Sequence, residues 1–164
     1  MKIAIGADHR GCEAAARFAE RMQKGGHEVV RAGEFSEKSS DYPDPAYEVG
    51  RQVGAGEVER GMLICGSGIG MSIAANKVRG VRAALVHDEL SAEMSRAHND
   101  ANVLCLSADL LGPRLIDKIV DLWMQTPFEG GRHQRRVDKI RAIEEARAPY
   151  DAGGVGAPTK TPIG

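Results

Sequence analysis

The sequence has no excess of charge of either sign and no long hydrophobic run. Its 164 residues include 22 lysines and arginines against 23 aspartates and glutamates, a formal net charge of −1. Nucleic acids and acidic membranes attract basic surfaces, so neither partner is expected. A membrane span would need about 20 consecutive apolar residues, and no run approaches that length. The chain begins in a strand-like run, Met1 to Gly6, so we expect no signal peptide.

Cysteine is scarce, and two common phosphate-binding motifs are missing. The three cysteines, Cys12, Cys65 and Cys105, have no metal-ligand spacing and cannot all pair, which favours a reducing cytoplasm. A Walker loop needs Gly-Lys-Ser/Thr after its glycines, whereas Gly70 is followed by Met71. A cysteine-phosphatase loop would need an arginine where Met71 stands.

The most informative stretch runs from Leu63 to Lys77. An apolar run ends at Cys65, three glycines alternate with small residues, and helix formers follow, which predicts a strand, a tight turn and a helix. Glycines let the backbone approach a ligand, and the N–H groups that begin a helix favour an anion or a developing oxyanion. Cys65 would be a base or nucleophile whose thiolate those groups stabilise. The alternative is a turn shaped by packing, with Cys65 as a small core residue.

Strands and helices alternate along the chain. Apolar runs predict strands at 2–7, 28–32, 61–65, 81–86 and 103–106. Apolar stripes predict helices around 12–22, 46–53, 68–78, 90–97, 115–123 and 137–143, and the two prolines in 36–45 predict a loop there. The pattern predicts an α/β fold, a three-layer α/β/α Rossmann-like sandwich with a five-stranded parallel sheet. We expect one domain over 1–148 and a Gly/Pro-rich tail over 149–164, disordered or draped on the surface.

Polar residues that follow strands are the candidates for a site, because ligands of such sheets bind outside the carboxyl ends of the strands. The first strand leads to Asp8 and His9, and the third to Cys65. We expect the turn at His98 and Asn99 to reach the same rim. Arg132 and Arg136 are four residues apart and share a helix face.

Each of these residues also has a simpler interpretation. Asp8 could only cap the next helix, and the arginines could form a solvated face. Histidines in turns are usually exposed, which is the expectation for His27, His87 and His133.

The chemistry that would use the whole set is aldose–ketose isomerisation of a phosphorylated sugar. Arginines and a histidine would bind the phosphate. A base would move a proton between neighbouring carbons while the glycine turn stabilises the enediolate. A second histidine could help to open the sugar ring. This reaction requires no metal and no other cofactor.

Six stretches together resemble one known family. From Met1 to about Arg147 the sequence resembles the type B ribose-5-phosphate isomerases, a family that also contains allose- and galactose-6-phosphate isomerases. The matching stretches are 6–11 (GADHRG), 41–44 (DYPD), 64–70 (ICGSGIG), 73–77 (IAANK), 95–102 (SRAHNDAN) and 130–137 (GGRHQRRV).

The resemblance assigns a role to each matching residue. It implies that Cys65 is the proton-transferring base and that His98 opens the ring. It implies substrate contacts at Asp8, His9 and Asn99, and an anion-binding turn formed by Gly66, Ser67, Gly68, Ile69 and Gly70. It implies phosphate binding by Arg132 and Arg136. It further implies a homodimer or homotetramer with each site at the subunit interface. The implied reaction interconverts ribose 5-phosphate and ribulose 5-phosphate, a step of the pentose phosphate pathway.

Two positions depart from the family pattern. Ser67 stands where many relatives have threonine, and it keeps the hydroxyl. Asp109 stands where many relatives have a substrate-binding arginine. Its carboxylate could repel a phosphate, bond a sugar hydroxyl, or only cap the helix that begins near Gly112.

Several other functions remain open from the sequence. The substrate could be allose 6-phosphate, a similar sugar phosphate, or a free rare sugar. Cys65 could be a covalent nucleophile of a transferase or hydrolase, with His98 as its partner. The chain could bind sugar phosphates without catalysis. A metal hydrolase using Asp8, His9 and His98 is the most distant alternative.

Overall fold

The computed structural model describes residues 1–33, 35–36 and 38–150, and these form the predicted α/β sandwich. The strands are β1 (Lys2–Ala7), β2 (Glu28–Ala32), β3 (Arg60–Cys65), β4 (Ala83–Leu85) and β5 (Val103–Ser107). The helices are α1 (Cys12–Lys24), α2 (Pro43–Gly54), α3 (Ile69–Ala75), α4 (Glu89–Ala97), α5 (Pro113–Gln125) and α6 (Arg132–Glu144). The expected Gly/Pro-rich tail lies outside the described residues from position 151 onward.

All strand pairs are parallel, in the order β2-β1-β3-β5-β4. Alternate side chains of each strand face opposite sides of the sheet. Met62 and Ile64 pack in a core with α1, α4 and α5, whereas Leu63 and Cys65 pack in a second core with α2 and α3. The sheet therefore has helices on both faces, and the fold prediction is confirmed. Among the described residues, no helix is both long and apolar enough to cross a membrane.

Helix α2 begins earlier than the sequence predicts. The stretch 36–45 is not loop throughout, because Pro43 and Pro45 lie in the first turn of α2. Proline is tolerated there, since the first N–H groups of a helix have no partner within the helix.

Helix α3 ends earlier than predicted, at Ala75 instead of Val78. The Asn76 side chain explains where the chain turns, because its amide bonds both backbone groups of Ala83, at 2.8 Å to the carbonyl and 2.9 Å from the N–H. The chain then enters β4, which is shorter than the predicted strand.

Two predicted apolar stripes face the core only in part, because Ala97 of α4 and Val137 of α6 are buried but the other predicted members are not. Leu90 and Met94 of α4 are 62% and 38% exposed, and Ile140 and Ile143 of α6 are 43% and 60% exposed. Helix α4 instead buries Ala92, Ser95, Arg96 and Ala97. These apolar side chains are left on the surface of a single chain.

Candidate active site

The thiol of Cys65 lies at the carboxyl end of β3, inside the glycine turn. Its side chain is buried, and Sγ accepts a hydrogen bond from the Gly68 N–H at 3.1 Å. Gly68 has a φ of +76°, and a Cβ there would lie 2.6 Å from Leu85 Cδ1. The positive φ, together with the Leu106 carbonyl 3.0 Å from such a Cβ, favours glycine at the position that aims this N–H at the sulfur. A thiolate at Cys65 would be stabilised by the same contact.

Neighbouring loops hold the turn in place. The Gly66 carbonyl accepts hydrogen bonds from Ser107 Oγ at 2.6 Å and from the Asp109 N–H at 3.1 Å. A Cβ on Gly70 would lie 2.4 Å from the ring of Tyr42, which closes the other side. The hydroxyl of Ser67 accepts the Ile69 N–H at 3.3 Å, at the start of α3.

Asp8 and His9 follow β1 at the same edge of the sheet, which we call the carboxyl edge. The buried Asp8 accepts the N–H groups of Arg10 and Gly11 at one carboxylate oxygen, at 3.0 and 3.1 Å. Its simpler interpretation, closing the turn before α1, therefore holds for that oxygen. His9 Nδ1 accepts the Ser40 N–H at 3.4 Å.

His98 belongs to a different cluster. Its imidazole stacks on that of His133, with ring centroids 4.1 Å apart and planes within 4°. Glu129 lies beside both rings, with Oε2 3.9 Å from His98 Nε2 and 3.4 Å from His133 Nε2. The expectation that His133 would be exposed is wrong, because the residue is 3% exposed. The stacking partner, His98, is 35 residues away in sequence, and the turn-like local sequence does not reveal that contact.

Two arginines surround His133. Arg132 Nε donates to His133 Nε2 at 3.2 Å, and Arg136 Nη1 lies 3.5 Å from Nδ1. Burial lowers the pKa of His133, nearby His98 and the arginines lower it further, and Glu129 opposes them. The cluster therefore favours a neutral His133 and presents two guanidinium groups to an anion.

The same cluster is poorly suited to a metal ion. His98, Glu129 and His133 carry possible ligand atoms within 4.8 Å of one another. However, His133 Nε2 already accepts a hydrogen bond from Arg132 Nε, and the positive charges of Arg132 and Arg136 would repel a cation. Asp8 and His9 lie at the carboxyl edge and cannot complete a site with His98. The arrangement proposed for a metal hydrolase is therefore absent from the described part of the chain.

A network of ion pairs holds the turn that carries His98 and Asn99. Asp100 has a φ of +47°, and its carboxylate bonds Arg82 at 2.9 Å and Arg96 at 2.8 Å. Arg82 Nε also donates to the backbone carbonyls of Asn99 and Asp100. The turn is thus fixed from two sides.

Cys65 and His98 do not share a rim of one chain, so that expectation is wrong. The turn after α4 leads into the start of β5, and the Asn102 carbonyl at its end accepts the N–H of Gly61 near the start of β3. Cys65 lies at the other end of β3, about 13 Å from Gly61 at the rise per residue of a strand. One chain therefore holds the thiol of Cys65 at the carboxyl edge. It holds the imidazole and guanidinium groups of His98, Arg132 and Arg136 at the opposite end of the strands, the amino edge.

Comparison with known proteins assigns the family. A family model described as Ribose/Galactose Isomerase matches residues 3–140. Ribose-5-phosphate isomerase B of Escherichia coli is 45% identical over 146 residues, 89% of this chain and 98% of that protein. The D-erythrulose-4-phosphate isomerase of Pectobacterium atrosepticum is 39% identical over 145 residues, 88% of this chain and 95% of that protein. The structure of ribose-5-phosphate isomerase B from Mycoplasma genitalium with bound ribulose-5-phosphate is 42% identical, with a TM-score of 0.84 over 88% of this chain and 96% of that one. The chain belongs to the ribose/galactose isomerase family.

Proposed function

We propose that the protein is a metal-independent aldose–ketose isomerase that interconverts ribose 5-phosphate and ribulose 5-phosphate. The observation that carries the proposal is the buried Cys65 thiol, which lies 3.1 Å from the Gly68 N–H in a turn whose positive φ favours glycine. The name and bound ligand of the Mycoplasma genitalium relative support this substrate. The three cysteines are free, which fits the reducing cytoplasm expected from the sequence.

The residues divide the reaction between them. His98 helps to open the ring, and the Cys65 thiolate removes the proton from C2 of the open aldose. The turn at Gly66, Ser67, Gly68, Ile69 and Gly70 stabilises the enediolate. The proton then returns from sulfur to C1 while the O2 hydroxyl proton passes to O1, which gives the ketose.

The remaining proposed contacts hold the substrate. Arg132 and Arg136 bind the phosphate, since both guanidinium groups flank the same imidazole. Asp8, His9 and Asn99 contact the sugar. The isomerase domain comprises residues 1–148, in accord with the family match over 3–140.

Each complete site is proposed to combine two copies of the chain. The thiol group of one copy and the cluster of His98, Arg132 and Arg136 of another would face a common substrate, because one chain separates them by the length of β3. The exposed apolar side chains of Leu90, Met94, Ile140 and Ile143 provide surface for such an assembly. A homodimer is the smallest assembly with this arrangement, and a homotetramer would contain it twice.

A second candidate is isomerisation of a four-carbon sugar phosphate. The Pectobacterium atrosepticum relative is a D-erythrulose-4-phosphate isomerase, and its identity to this chain is only slightly lower. A panel of ribose 5-phosphate, allose 6-phosphate, D-erythrulose 4-phosphate and free allulose would rank the substrates by kcat/KM. The proposal requires ribose 5-phosphate to rank first.

Deuterium exchange tests the reaction itself. In D₂O, the wild-type protein should incorporate deuterium at C1 of ribulose 5-phosphate over many turnovers, and Cys65→Ala should not. Cys105→Ala is the matched control, because Cys105 is buried in the same core and burial raises the pKa of its thiol. A covalent adduct on Cys65 without deuterium exchange would instead support a transferase or hydrolase. Binding of ribose 5-phosphate without any exchange would identify a non-catalytic module.

A further inference from the structure

A charged pair lies directly over the glycine turn. Arg10 and Asp109 are 99 residues apart in sequence and form a forked ion pair. Nε of Arg10 bonds Oδ1 and Oδ2 at 3.1 and 2.9 Å, and Nη2 bonds Oδ1 at 2.8 Å. Such a fork fixes the plane of the guanidinium as well as its position.

The pair is adjacent to the thiol of Cys65. A Cβ built on Gly66, the next residue, would lie 2.8 Å from Asp109 Oδ2, 3.4 Å from Arg10 Cδ and 3.5 Å from Arg10 Nε. The Arg10 side chain is 57% exposed, so the guanidinium borders open solvent at this edge. Its Nη1 has no hydrogen-bond partner among residues 1–33, 35–36 and 38–150. One edge of a fixed cation is therefore presented beside the turn.

The pair bears on two of the three roles considered for Asp109, the helix cap and the lone negative charge. The carboxylate is not a helix cap, because Gly112 precedes α5 and no side chain caps it. It does not stand alone as a negative charge either, since Arg10 offsets it at 2.8 Å. Its backbone N–H holds the Gly66 carbonyl, and that bond would survive a change of the side chain.

We propose that Arg10 is a specificity-determining residue that contacts the phosphate of the substrate, and that Asp109 is the positioning residue that holds it. This inference rests on the proposed function, in which phosphate is the one standing negative charge of the substrate. Arg10 thereby selects phosphorylated over neutral sugars. Phosphate is bound in both the ground and transition states, so Arg10 acts on KM and not on kcat.

A double-substitution cycle tests this pairing, because the effect of Asp109→Ala on phosphate affinity should reverse its sign when Arg10 is absent. Arg10→Ala should raise the KM for ribose 5-phosphate and the inhibition constant of inorganic phosphate together, by about 10- to 100-fold, with kcat nearly unchanged. Asp109→Ala alone should raise both constants by a smaller factor, because Arg10 remains but is no longer oriented. In the Arg10→Ala background, Asp109→Ala should lower both constants, because it removes a carboxylate that has lost its partner.

Two further substitutions complete the experiment. Arg10→Lys should be intermediate, because lysine keeps the charge but cannot form the fork. Arg17 and Asp117 provide a matched control, since they form a comparable pair between α1 and α5 at 3.4 Å. Arg17→Ala, Asp117→Ala and their combination should leave KM unchanged.

The result can separate this inference from the proposed function. If the wild-type protein isomerises ribose 5-phosphate while Arg10→Ala leaves KM and phosphate inhibition unchanged, the inference fails and the function stands. A loss confined to kcat would also overturn the phosphate contact. Effects of Asp109→Ala with the same sign in both backgrounds would refute its positioning role. Absence of wild-type turnover would instead reject the proposed function.

Discussion

Cys65 lies at the carboxyl edge of the parallel sheet, where the strands end, and His98 lies at the amino edge, where they begin. The length of β3 separates the two residues. The thiol has its own hydrogen-bond donor in Gly68, and the imidazole has its own stacking partner in His133. Each group is therefore built completely by one chain, although neither contains all the residues of the proposed reaction. Because of this separation, the Cys65 thiol and the His98 imidazole can be substituted and tested one at a time.

Cys65→Ala should reduce kcat for ribose 5-phosphate by about 10²- to 10⁴-fold, the usual contribution of a positioned base. Inhibition by inorganic phosphate should persist, because the phosphate contacts do not include the thiol. Steady-state kinetics measures both effects, thermal unfolding checks that the variant is folded, and Cys105→Ala is the control that keeps activity. A Cys65→Ala protein that retains more than about a tenth of wild-type turnover would remove Cys65 from the role of base.

His98→Asn should affect ring opening and leave proton transfer intact. Turnover of ribose 5-phosphate, which is cyclic in solution, should fall by about 100-fold. Deuterium exchange into ribulose 5-phosphate, which is an open chain, should change little. Measuring both rates on one protein preparation makes the comparison internal, and equal losses would exclude a dedicated ring-opening role.

Asp100→Ala should destabilise the fold by about 3 kcal/mol or more, because it leaves the buried Arg96 without its ion-pair partner. Asp100→Asn should cost less, since asparagine tolerates the positive φ and can still accept a hydrogen bond. Denaturant unfolding gives both values. Asp138→Ala, which removes an exposed pair with Arg141 at 3.6 Å, should change stability by less than about 1 kcal/mol. Equal effects at Asp100 and Asp138 would contradict a clamped turn.

His133 should make the protein less stable in acid. Its pKa is lowered in the folded state, chiefly by burial, so the unfolded chain binds the proton more readily. The stabilisation is therefore present above the unfolded pKa of about 6.5 and is lost as pH falls toward the folded pKa. Unfolding measured at several pH values should show this slope, and His133→Gln should flatten it.

Phosphate should act on the same residue in the opposite direction. A dianion between Arg132 and Arg136 would offset their charges and raise the pKa of His133. A proton NMR titration with and without inorganic phosphate would measure the shift, with the exposed His87 as an internal control. An unchanged His133 alongside an unchanged His87 would place the phosphate elsewhere.

The sequence predicts what depends on neighbouring residues and misses what depends on distant ones. The strand, the turn and the position of Cys65 follow from one continuous stretch, and the structure contains them as expected. The buried state of His133 depends on its stack with His98, and the Arg10–Asp109 pair joins loops that are 99 residues apart. The predicted common rim failed because a turn that precedes a parallel strand lies at the edge opposite to one that follows it.

Subunit complementation is the most direct test of the central claim, that the thiol of one copy works with the imidazole cluster of another. Cys65→Ala and His98→Asn proteins would be unfolded, mixed in equal amounts and refolded together, beside each protein refolded alone. Half of the resulting dimers would pair the two variants, and each of these would contain one intact site. The account predicts recovery of about a quarter of wild-type activity, as two-fold symmetry requires. A mixture no more active than the two variants measured separately would contradict it.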